Sequence, residues 1–355
     1  MAQRLYIRPI ALVDASERRE GDLALAGGKR SFSAVEALLR DEEGKILLRE
    51  AGSVTGLMDW VKRSCPDQEA RAAELLQRLQ MPRAAFSGLP MDEPHIMAVI
   101  NATPDSFSDG GDRLDPDVAV ADGLRLWEAG ATLLDIGGES TRPGADPVSE
   151  DEELRRVIPV IEGLKAAGTR VSIDTRHARV MREAVAAGAD IINDVSGLEG
   201  DPDSLQTAVE CGVPVMLMHM QGNPLTMQHN PTYSDAALDV YDYLEKRVEG
   251  CVNAGIPRDM ICVDPGIGFG KTIEHNLRLL DMQALLHGTG CPVLLGVSRK
   301  SFIGRLSAGE EPKDRVAGSL ACALDGWRKG VQFFRVHDVA ETVQAFRIAR
   351  AIAER

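Results

Sequence analysis

HIMAVINATPDSFSDGG, residues 95–111, passes from a short apolar run directly into a polar loop that ends in two glycines. The run from His95 to Asn101 has the nearly continuous apolar character of a parallel strand that is buried on both faces. The loop consists of turn-forming residues around one aromatic, Phe107. Long loops of this kind in compact domains tend to be functional, so this stretch predicts a buried strand followed by a functional loop.

The same order of strand, polar loop and helix recurs to the end of the chain. Eight apolar runs predict strands, over residues 95–101, 132–138, 170–175, 190–197, 213–220, 261–266, 292–299 and 333–338. Eight β/α units in about 260 residues match the usual size of a TIM barrel. A doubly wound open sheet is the alternative, but it rarely has eight regular units without a clear switch point. We therefore predict an α/β fold, with a TIM (β/α)8 barrel over residues 95–355.

Start and stop signals predict helices between these runs. Asp115 followed by Pro116 is typical of a helix start, and Ser149 with Glu152 has the spacing of a capping box. Several glycines suit helix ends, at Gly130, Gly168, Gly188, Gly212 and Gly255.

Residues 1–90 lack this order and predict a small N-terminal α+β appendage. Apolar patterns there predict strands over 5–13 and 45–50 and helices over 33–40 and 55–63. A stretch with three prolines and one glycine, residues 81–94, joins the appendage to the barrel. We expect a packing or dimer-forming role for the appendage, and a partner-binding module is the alternative.

Composition narrows the class of protein. The 54 acidic and 40 basic residues give a net charge of −14, which argues against nucleic acid or an anionic membrane as the main partner. Six scattered cysteines without a C-x-x-C pair are typical of buried thiols in a cytosolic protein. The N-terminus does not resemble a signal peptide, and no segment approaches the ~18 apolar residues of a membrane span. We expect a soluble, cytoplasmic protein.

Polar side chains end most of the predicted strands, where TIM barrels carry their chemistry. They are Asn101, Asp174, Asn193, Asp264, Ser298 with Lys300, and Arg335 with His337. Residues two apart share a face of a strand, so each of the last two pairs continues one face. A single polar strand end often only caps a helix, and we prefer that structural interpretation for Asp135, Asp190 and Asp194. For the whole set we favour a functional interpretation, because so many ends would need unrelated structural explanations.

The chemistry of these side chains indicates a ligand. Two aspartates and an asparagine can bind a flat heterocycle with several N–H donors, as a guanine-like edge offers. Positive charge for an anion comes from Arg142, Lys300, Arg335 and His337. Asn101 has no charge and suits a role shared with a metal ion and phosphate oxygens.

Long motifs fall in order on all eight units. They are NATPDSFSDGG (101–111), GGESTRPGA (137–145), SIDT (172–175), INDVSG (192–197), LMHMQGNPLTMQ (217–228), DPGIGFGKT (264–272), GVSRKSFIG (296–304) and RVHD (335–338). Together they closely resemble the dihydropteroate synthase family over about residues 95–355. One small departure is Ala102, where valine is more familiar in the family.

The resemblance implies a reaction of folate biosynthesis. In it, 6-hydroxymethyl-7,8-dihydropterin diphosphate and 4-aminobenzoate give 7,8-dihydropteroate and pyrophosphate, with Mg²⁺ as cofactor. Enzymes with this aminobenzoate site are the usual targets of sulfonamides. A homodimer is also expected.

The resemblance further implies residue roles. The pterin would contact Asp174, Asn193, Met218, Asp264 and Lys300. The diphosphate would contact Asn101, Arg142, Arg335 and His337, and Asn101 would also bind Mg²⁺. The aminobenzoate would contact Thr141, Pro143, Phe269 and Ser298. Of these residues, Asp174, Lys300 and Asn101 would be catalytic, and loop 104–111 would close over the diphosphate with Phe107 as its anchor.

Elementary chemistry agrees with this assignment. Breaking the C–O bond to a diphosphate leaves positive charge on the exocyclic carbon, which an electron-rich pterin ring delocalises. Asp174 would stabilise that cation electrostatically, and the basic cluster would stabilise the leaving group, as in an SN1-like reaction.

Three alternatives remain open. A pterin-binding methyltransferase shares the Asp/Asn/Asp pocket, although it does not need the S-R-K or R-V-H-D strand ends. A catalytically inactive pterin-binding paralogue is the non-enzymatic alternative. A lyase that forms a Schiff base on Lys300 is the third.

Overall fold

The computed structural model describes residues 3–102, 115–139, 148–222, 226–227 and 229–354. The chain begins with an antiparallel sheet and two helices. These elements are β1 (Gln3–Asp14), β2 (Leu23–Ala24), β3 (Arg30–Asp41), β4 (Ile46–Ser53), α1 (Val54–Ser64) and α2 (Glu69–Gln80). β3 is central, because β1 pairs with one of its edges and β2 and β4 pair with the other.

The appendage differs from its sequence-based prediction, because one predicted helix is wrong and neither β2 nor α2 was predicted. The strands predicted over 5–13 and 45–50 and the helix over 55–63 are confirmed. The helix predicted over 33–40 is wrong, because these residues lie within β3. Every residue from Val35 to Arg40 is buried, since β3 is covered on both faces. A strand in that position loses the period-two pattern that would distinguish it from a helix.

The rest of the described chain forms a barrel of eight parallel strands, so all eight predicted strands are confirmed. The strands are β5 (His95–Asn101), β6 (Leu133–Gly137), β7 (Val171–Asp174), β8 (Ile191–Asp194), β9 (Val215–Met218), β10 (Ile261–Asp264), β11 (Leu294–Leu295) and β12 (Phe333–Val336). They pair in the order β10-β9-β8-β7-β6-β5-β12-β11. A parallel bridge between Val263 and Val293 joins the two ends of this sheet and closes the barrel.

Helices surround the strands. They are α3 (Pro116–Glu128), α4 (Glu150–Ala166), α5 (Ala178–Ala186), α6 (Ser204–Cys211), α7 (Ala236–Ala254), α8 (Ile273–Asp281), α9 (Ser301–Leu306), α10 (Val316–Arg328) and α11 (Val339–Ala353). Within the described ranges, none of the helices is both long and apolar enough to cross a membrane.

The helix signals in the sequence act as predicted, with one exception. Asp115 caps α3, and the Ser149 side chain accepts from the backbone N–H of Glu152. Glu152 does not complete the capping box, because its carboxylate binds the arginines at 155 and 156. The glycines predicted to end helices all have positive φ: Gly130, Gly168, Gly188, Gly212 and Gly255.

All six cysteines are free thiols, but only four are buried, since Cys211 and Cys322 are partly exposed.

The segment that joins the appendage to the barrel also closes the lower end of the barrel. Phe86, Leu89 and Met91 belong to the same buried cluster as the inward side chains of the strands. The ring of Phe86 packs edge-on against Phe333, with 5.5 Å between their centroids. This apolar layer fills the amino-terminal end of the barrel together with the buried ring of His95, which packs against Phe333, so the candidate-site side chains lie at the other end.

Buried charge joins the appendage to α7. The side chain of Glu245 is 6% exposed and binds arginines from β1 and α2. Arg71 and Arg78 approach its carboxylate oxygens at 3.2 and 3.1 Å, and Arg4 binds the same group. The hydroxyl of Tyr241 donates to it at 3.1 Å. The appendage therefore packs on the barrel through an ion cluster centred on one carboxylate.

Candidate active site

The carboxyl ends of the barrel strands bring the predicted polar residues together. Strand register aligns Asp174 with Asn193 and also with Gly137, so three neighbouring strands end at one level. Further side chains come from β9, β10 and β12, at Met218, Asp264 and Arg335. Their inward direction follows from strand alternation, because the apolar layer below them contains residues an even number of positions away, such as Ile191, Met216 and Phe333.

Arg335 connects two carboxylates inside the barrel. Its Nε donates to Asp135 Oδ2 at 2.6 Å, and its Nη2 donates to Asp174 Oδ2 at 2.7 Å. Burial raises the pKa of Asp174 to about 7, and the nearby carboxylate of Asp135 adds to the rise. The Arg335 guanidinium acts in the opposite direction. Asp174 therefore titrates near neutral pH, as candidate catalytic carboxylates often do.

Lys300 lies in the same site, near Asp264 and the ring of Phe269. Its Nζ is 4.1 Å from the centroid of the Phe269 ring, which is within cation–π range. Burial lowers the pKa of Lys300 to about 8, and Asp264 opposes that shift. Asp264 is itself held by the backbone N–H of Gly266, which donates to Oδ1 at 2.7 Å. A carboxylate, an ammonium group and a ring thus share one wall of the site.

The loop after β10 requires glycine where it passes the end of β9. Gly266 has a φ of +65°, and a Cβ there would lie 2.0 Å from the carbonyl oxygen of His219. The glycine at this position therefore permits a close approach between the two backbone segments.

Ser298 and His337 form a pair at the ends of β11 and β12. The Ser298 hydroxyl lies 3.0 Å from His337 Nδ1 and accepts from the backbone N–H of His337 at 3.1 Å. Burial lowers the pKa of His337 to about 3, and Arg335 and Arg299 add to the effect. This shift favours the neutral ring near neutral pH, whereas the sequence analysis expected a positive charge at His337. The neutral ring can still donate or accept a hydrogen bond.

Asn101 is the last residue of β5 and is paired in register with Gly137. Among the described residues, no group of three histidines, cysteines or acids could hold a metal ion by itself. Mg²⁺ usually keeps several waters and binds few protein ligands together with substrate phosphates. One amide oxygen beside a diphosphate fits that preference, so the donor set is compatible with a substrate-assisted Mg²⁺ site.

Several predicted features lie outside the described residues. They are the predicted contacts Thr141, Arg142 and Pro143, and the closing loop 104–111 with Phe107.

The structure adds two buried ionisable residues that our sequence interpretation did not place in the site. Asp135 was interpreted as structural, yet it binds Arg335 and Asn193. Lys271 donates to the carbonyl oxygen of Phe269 at 2.8 Å and lies 3.0 Å from His219 Nδ1. The available signal for Asp135 was an acid in the middle of an apolar strand, where burial requires a partner. For Asp190 and Asp194 the structural interpretation agrees with their contacts, to Lys165 and to the loop at 196–198.

Comparison with known proteins places this geometry in a family. The sequence profile described as Pterin binding enzyme matches residues 97–337. Dihydropteroate synthase of Escherichia coli K12 is 47% identical over 269 residues, which cover 76% of this chain and 95% of that protein. The Haemophilus influenzae dihydropteroate synthase is 46% identical over 267 residues, and the alignment covers 75% of this chain and 96% of that protein.

Solved structures agree. The Yersinia pestis dihydropteroate synthase in a sulfonamide complex has a TM-score of 0.72 and 47% identity, covering 75% of this chain and 97% of that one. The Xanthomonas albilineans dihydropteroate synthase in complex with 7,8-dihydropteroate has a TM-score of 0.69 and 46% identity, covering 76% and 98%. The eight-stranded barrel and the extent of these matches show that the chain belongs to the dihydropteroate synthase family of pterin-binding enzymes.

Proposed function

We propose that this site condenses 6-hydroxymethyl-7,8-dihydropterin diphosphate with 4-aminobenzoate to give 7,8-dihydropteroate and pyrophosphate. The observation that carries the proposal is the convergence of Asp174, Asn193, Asp264 and Lys300 at one barrel end, with Arg335 bound to Asp174. The 7,8-dihydropteroate bound by the X. albilineans relative supports the same product class.

The pterin is recognised at its polar edge. Ionised Asp174 and Asp264 accept hydrogen bonds from ring N–H groups, and Asn193 can both accept and donate. Met218 contributes an apolar surface on which a flat ring can pack. Lys300, beside Asp264, donates to ring acceptors. The pocket thus matches a heterocycle that alternates donors and acceptors along one edge.

The reaction begins as the C–O bond between the exocyclic carbon and the diphosphate breaks. The bonding electrons leave with pyrophosphate, and the positive charge spreads over the dihydropterin ring. Asp174 stabilises that cation, and Arg335 stabilises the leaving group. The aminobenzoate nitrogen then attacks the carbon and loses one proton. The amine is already a nucleophile, so the site needs no activating triad.

Mg²⁺ is part of the proposal. Asn101 would hold it together with diphosphate oxygens, and the ion would supply charge neutralisation on the leaving group when bound. Arg142, Arg335 and His337 would contact the remaining phosphate oxygens.

The second substrate would bind between Phe269, Ser298 and the loop that carries Thr141 and Pro143. The sulfonamide complex of the Y. pestis relative supports the proposal that this protein is a sulfonamide target, and we assign the competition to this site.

A cytoplasmic homodimer completes the proposal. Apolar side chains on α11 support a subunit contact, since Ile348 and Ile352 are 60% and 65% exposed one turn apart. Exposed apolar groups of this kind, when contiguous, commonly mark protein interfaces.

The direct test is a two-substrate assay with Mg²⁺. Purified protein is mixed with the dihydropterin diphosphate, with and without 4-aminobenzoate, and pyrophosphate and 7,8-dihydropteroate are followed together. We expect equal amounts of both products when both substrates are present, and no 7,8-dihydropteroate without 4-aminobenzoate. Pterin binding without turnover would indicate the inactive paralogue, and methyl transfer from methyltetrahydrofolate would indicate the methyltransferase.

The pH dependence of kcat/KM for the pterin diphosphate should be bell-shaped, with its maximum between about pH 7 and pH 8. Below about pH 7 Asp174 takes up a proton and loses its negative charge, and above about pH 8 Lys300 loses its positive charge. The measurement is kcat/KM at saturating aminobenzoate from about pH 5.5 to about pH 9.5. This range extends about 1.5 pH units below the pKa of Asp174 and about 1.5 pH units above that of Lys300. Lys300→Arg keeps its charge at high pH and should remove the alkaline decline. An unchanged alkaline decline in that variant would contradict the assignment.

A further inference from the structure

Asp135 is a buried carboxylate within the site to which the proposed reaction assigns no role. It lies in the middle of β6 and has no solvent exposure. Leu133, two positions earlier, belongs to the apolar layer that fills the barrel, so Asp135 also points inward. A buried carboxylate is costly unless its oxygens receive hydrogen bonds. The partners that satisfy Asp135 are two residues of the proposed substrate site, Arg335 and Asn193.

The first partner is Arg335. The Nε–H of its guanidinium is committed to Asp135, and one N–H of Nη2 is committed to Asp174. A guanidinium has five N–H donors in one plane, so contacts with the described residues leave three of them for an anion. Because two separate carboxylates hold the same edge, the plane is set before any ligand arrives. A lysine could supply the charge, but its ammonium group has no plane that the two carboxylates could fix.

The second partner is Asn193. Its Nδ2 lies 3.4 and 3.3 Å from the two oxygens of Asp135. An ionised carboxylate only accepts, so the amide must turn its nitrogen towards Asp135. That choice leaves the amide oxygen as the acceptor for a ring N–H. The same carboxylate therefore determines which end of the amide faces the heterocycle.

We propose that Asp135 is a positioning residue that sets the guanidinium plane of Arg335 for the diphosphate and the amide orientation of Asn193 for the pterin. The inference rests on the proposed function and deepens it. Asp135 acts through these two side chains and does not contact the substrate. Its loss should therefore affect the pterin diphosphate and pyrophosphate much more than the aminobenzoate.

The first test is Asp135→Asn, which keeps the shape and removes the charge. We expect kcat/KM for the pterin diphosphate to fall about 30-fold, as for the loss of a hydrogen bond to a charged group. The KM for 4-aminobenzoate should stay within about twofold, because neither partner of Asp135 contacts that substrate. Titration calorimetry with inorganic pyrophosphate and Mg²⁺ should show about tenfold weaker binding. Asp190→Asn is the matched control, since Asp190 pairs with Lys165 outside the site and should leave all three quantities unchanged.

A double-mutant cycle separates positioning from general structural damage. In an Arg335→Met background, Asp135→Asn should lower kcat/KM by only about threefold more, because its main route of action is already gone. A further loss of about 30-fold in that background would overturn the proposal. The proposal would also be overturned if the folded Asp135→Asn variant bound pyrophosphate with wild-type affinity.

Arg335→Lys provides a test that does not depend on the folding of an Asp135 variant. It keeps the charge and lacks the planar fork, so we expect a loss close to that of Asp135→Asn. Near-normal kcat/KM in Arg335→Lys would show that a point charge suffices and would overturn the proposal. The pyrophosphate titration separates failure of the proposed reaction from failure of the positioning role of Asp135. If the wild-type chain forms no product, the proposed function fails, yet the effect of Asp135 on pyrophosphate binding is still measured.

Discussion

Asp174→Asn is expected to lower kcat by about 10²- to 10³-fold while the protein stays fully folded. Asparagine has the same shape but no negative charge, so it cannot stabilise the cation that forms when pyrophosphate leaves. Folding should not suffer, because burial already disfavours the charged form and raises the pKa of Asp174 to about 7. We therefore expect an unchanged or slightly higher melting temperature. The measurements are steady-state kcat and thermal unfolding by circular dichroism.

Asp194→Asn is the matched control for that prediction. Asp194 is also a buried strand-end aspartate, and burial raises its pKa as well. Its oxygens, however, accept from the backbone N–H groups of Ser196 and Leu198 and so hold a loop. We expect this variant to lose stability more than turnover, the reverse of Asp174→Asn. If Asp174→Asn kept more than about a tenth of wild-type kcat, the role of Asp174 in stabilising charge would be refuted.

Glu245→Gln should destabilise the chain by about 3 kcal/mol, because it removes the shared partner of a buried ion cluster. The carboxylate is 6% exposed and receives Arg4, Arg71 and Arg78. Loss of its charge leaves several arginines next to one another at the contact between the appendage and α7. We place the effect at the lower end of the range for broken buried ion pairs because Arg78 keeps its contact with Glu249. Urea unfolding followed by circular dichroism measures the free energy.

Glu74→Gln tests whether burial is the reason. Glu74 pairs with the same Arg78, but its side chain is 50% exposed. Exposed ion pairs contribute little, so we expect a loss below about 1 kcal/mol. If the two variants lost equal amounts of unfolding free energy, burial would not explain the contribution of the Glu245 ion pairs to stability. Because the partners of Glu245 and Glu74 lie on β1, α2 and α7 and are not candidate-site residues, kcat at low temperature should be unchanged in both variants.

The pattern of local signals was sufficient to predict the barrel. All eight strands were predicted because parallel strands covered on both faces have compact apolar runs, and the glycines at helix ends adopt the positive φ that the signals require. The same reasoning failed at β3, where burial on both faces of an antiparallel strand removed the alternation. The segment at 81–94 looked like a linker, and nothing local indicated that Phe86 would enter the barrel.

The candidate site divides in the same way. The sequence by itself determined which side chains stand at the strand ends, because strand alternation assigns each residue to the inside or the outside of the barrel. Only the tertiary structure decided how these groups interact. Asp135 and Arg335 are separated by 200 residues, and their ion pair exists because β5 pairs with β6 on one side and with β12 on the other. The charge states follow from the same cause: Asp174 and His337 titrate away from their ordinary pKa values because packing removes water from them.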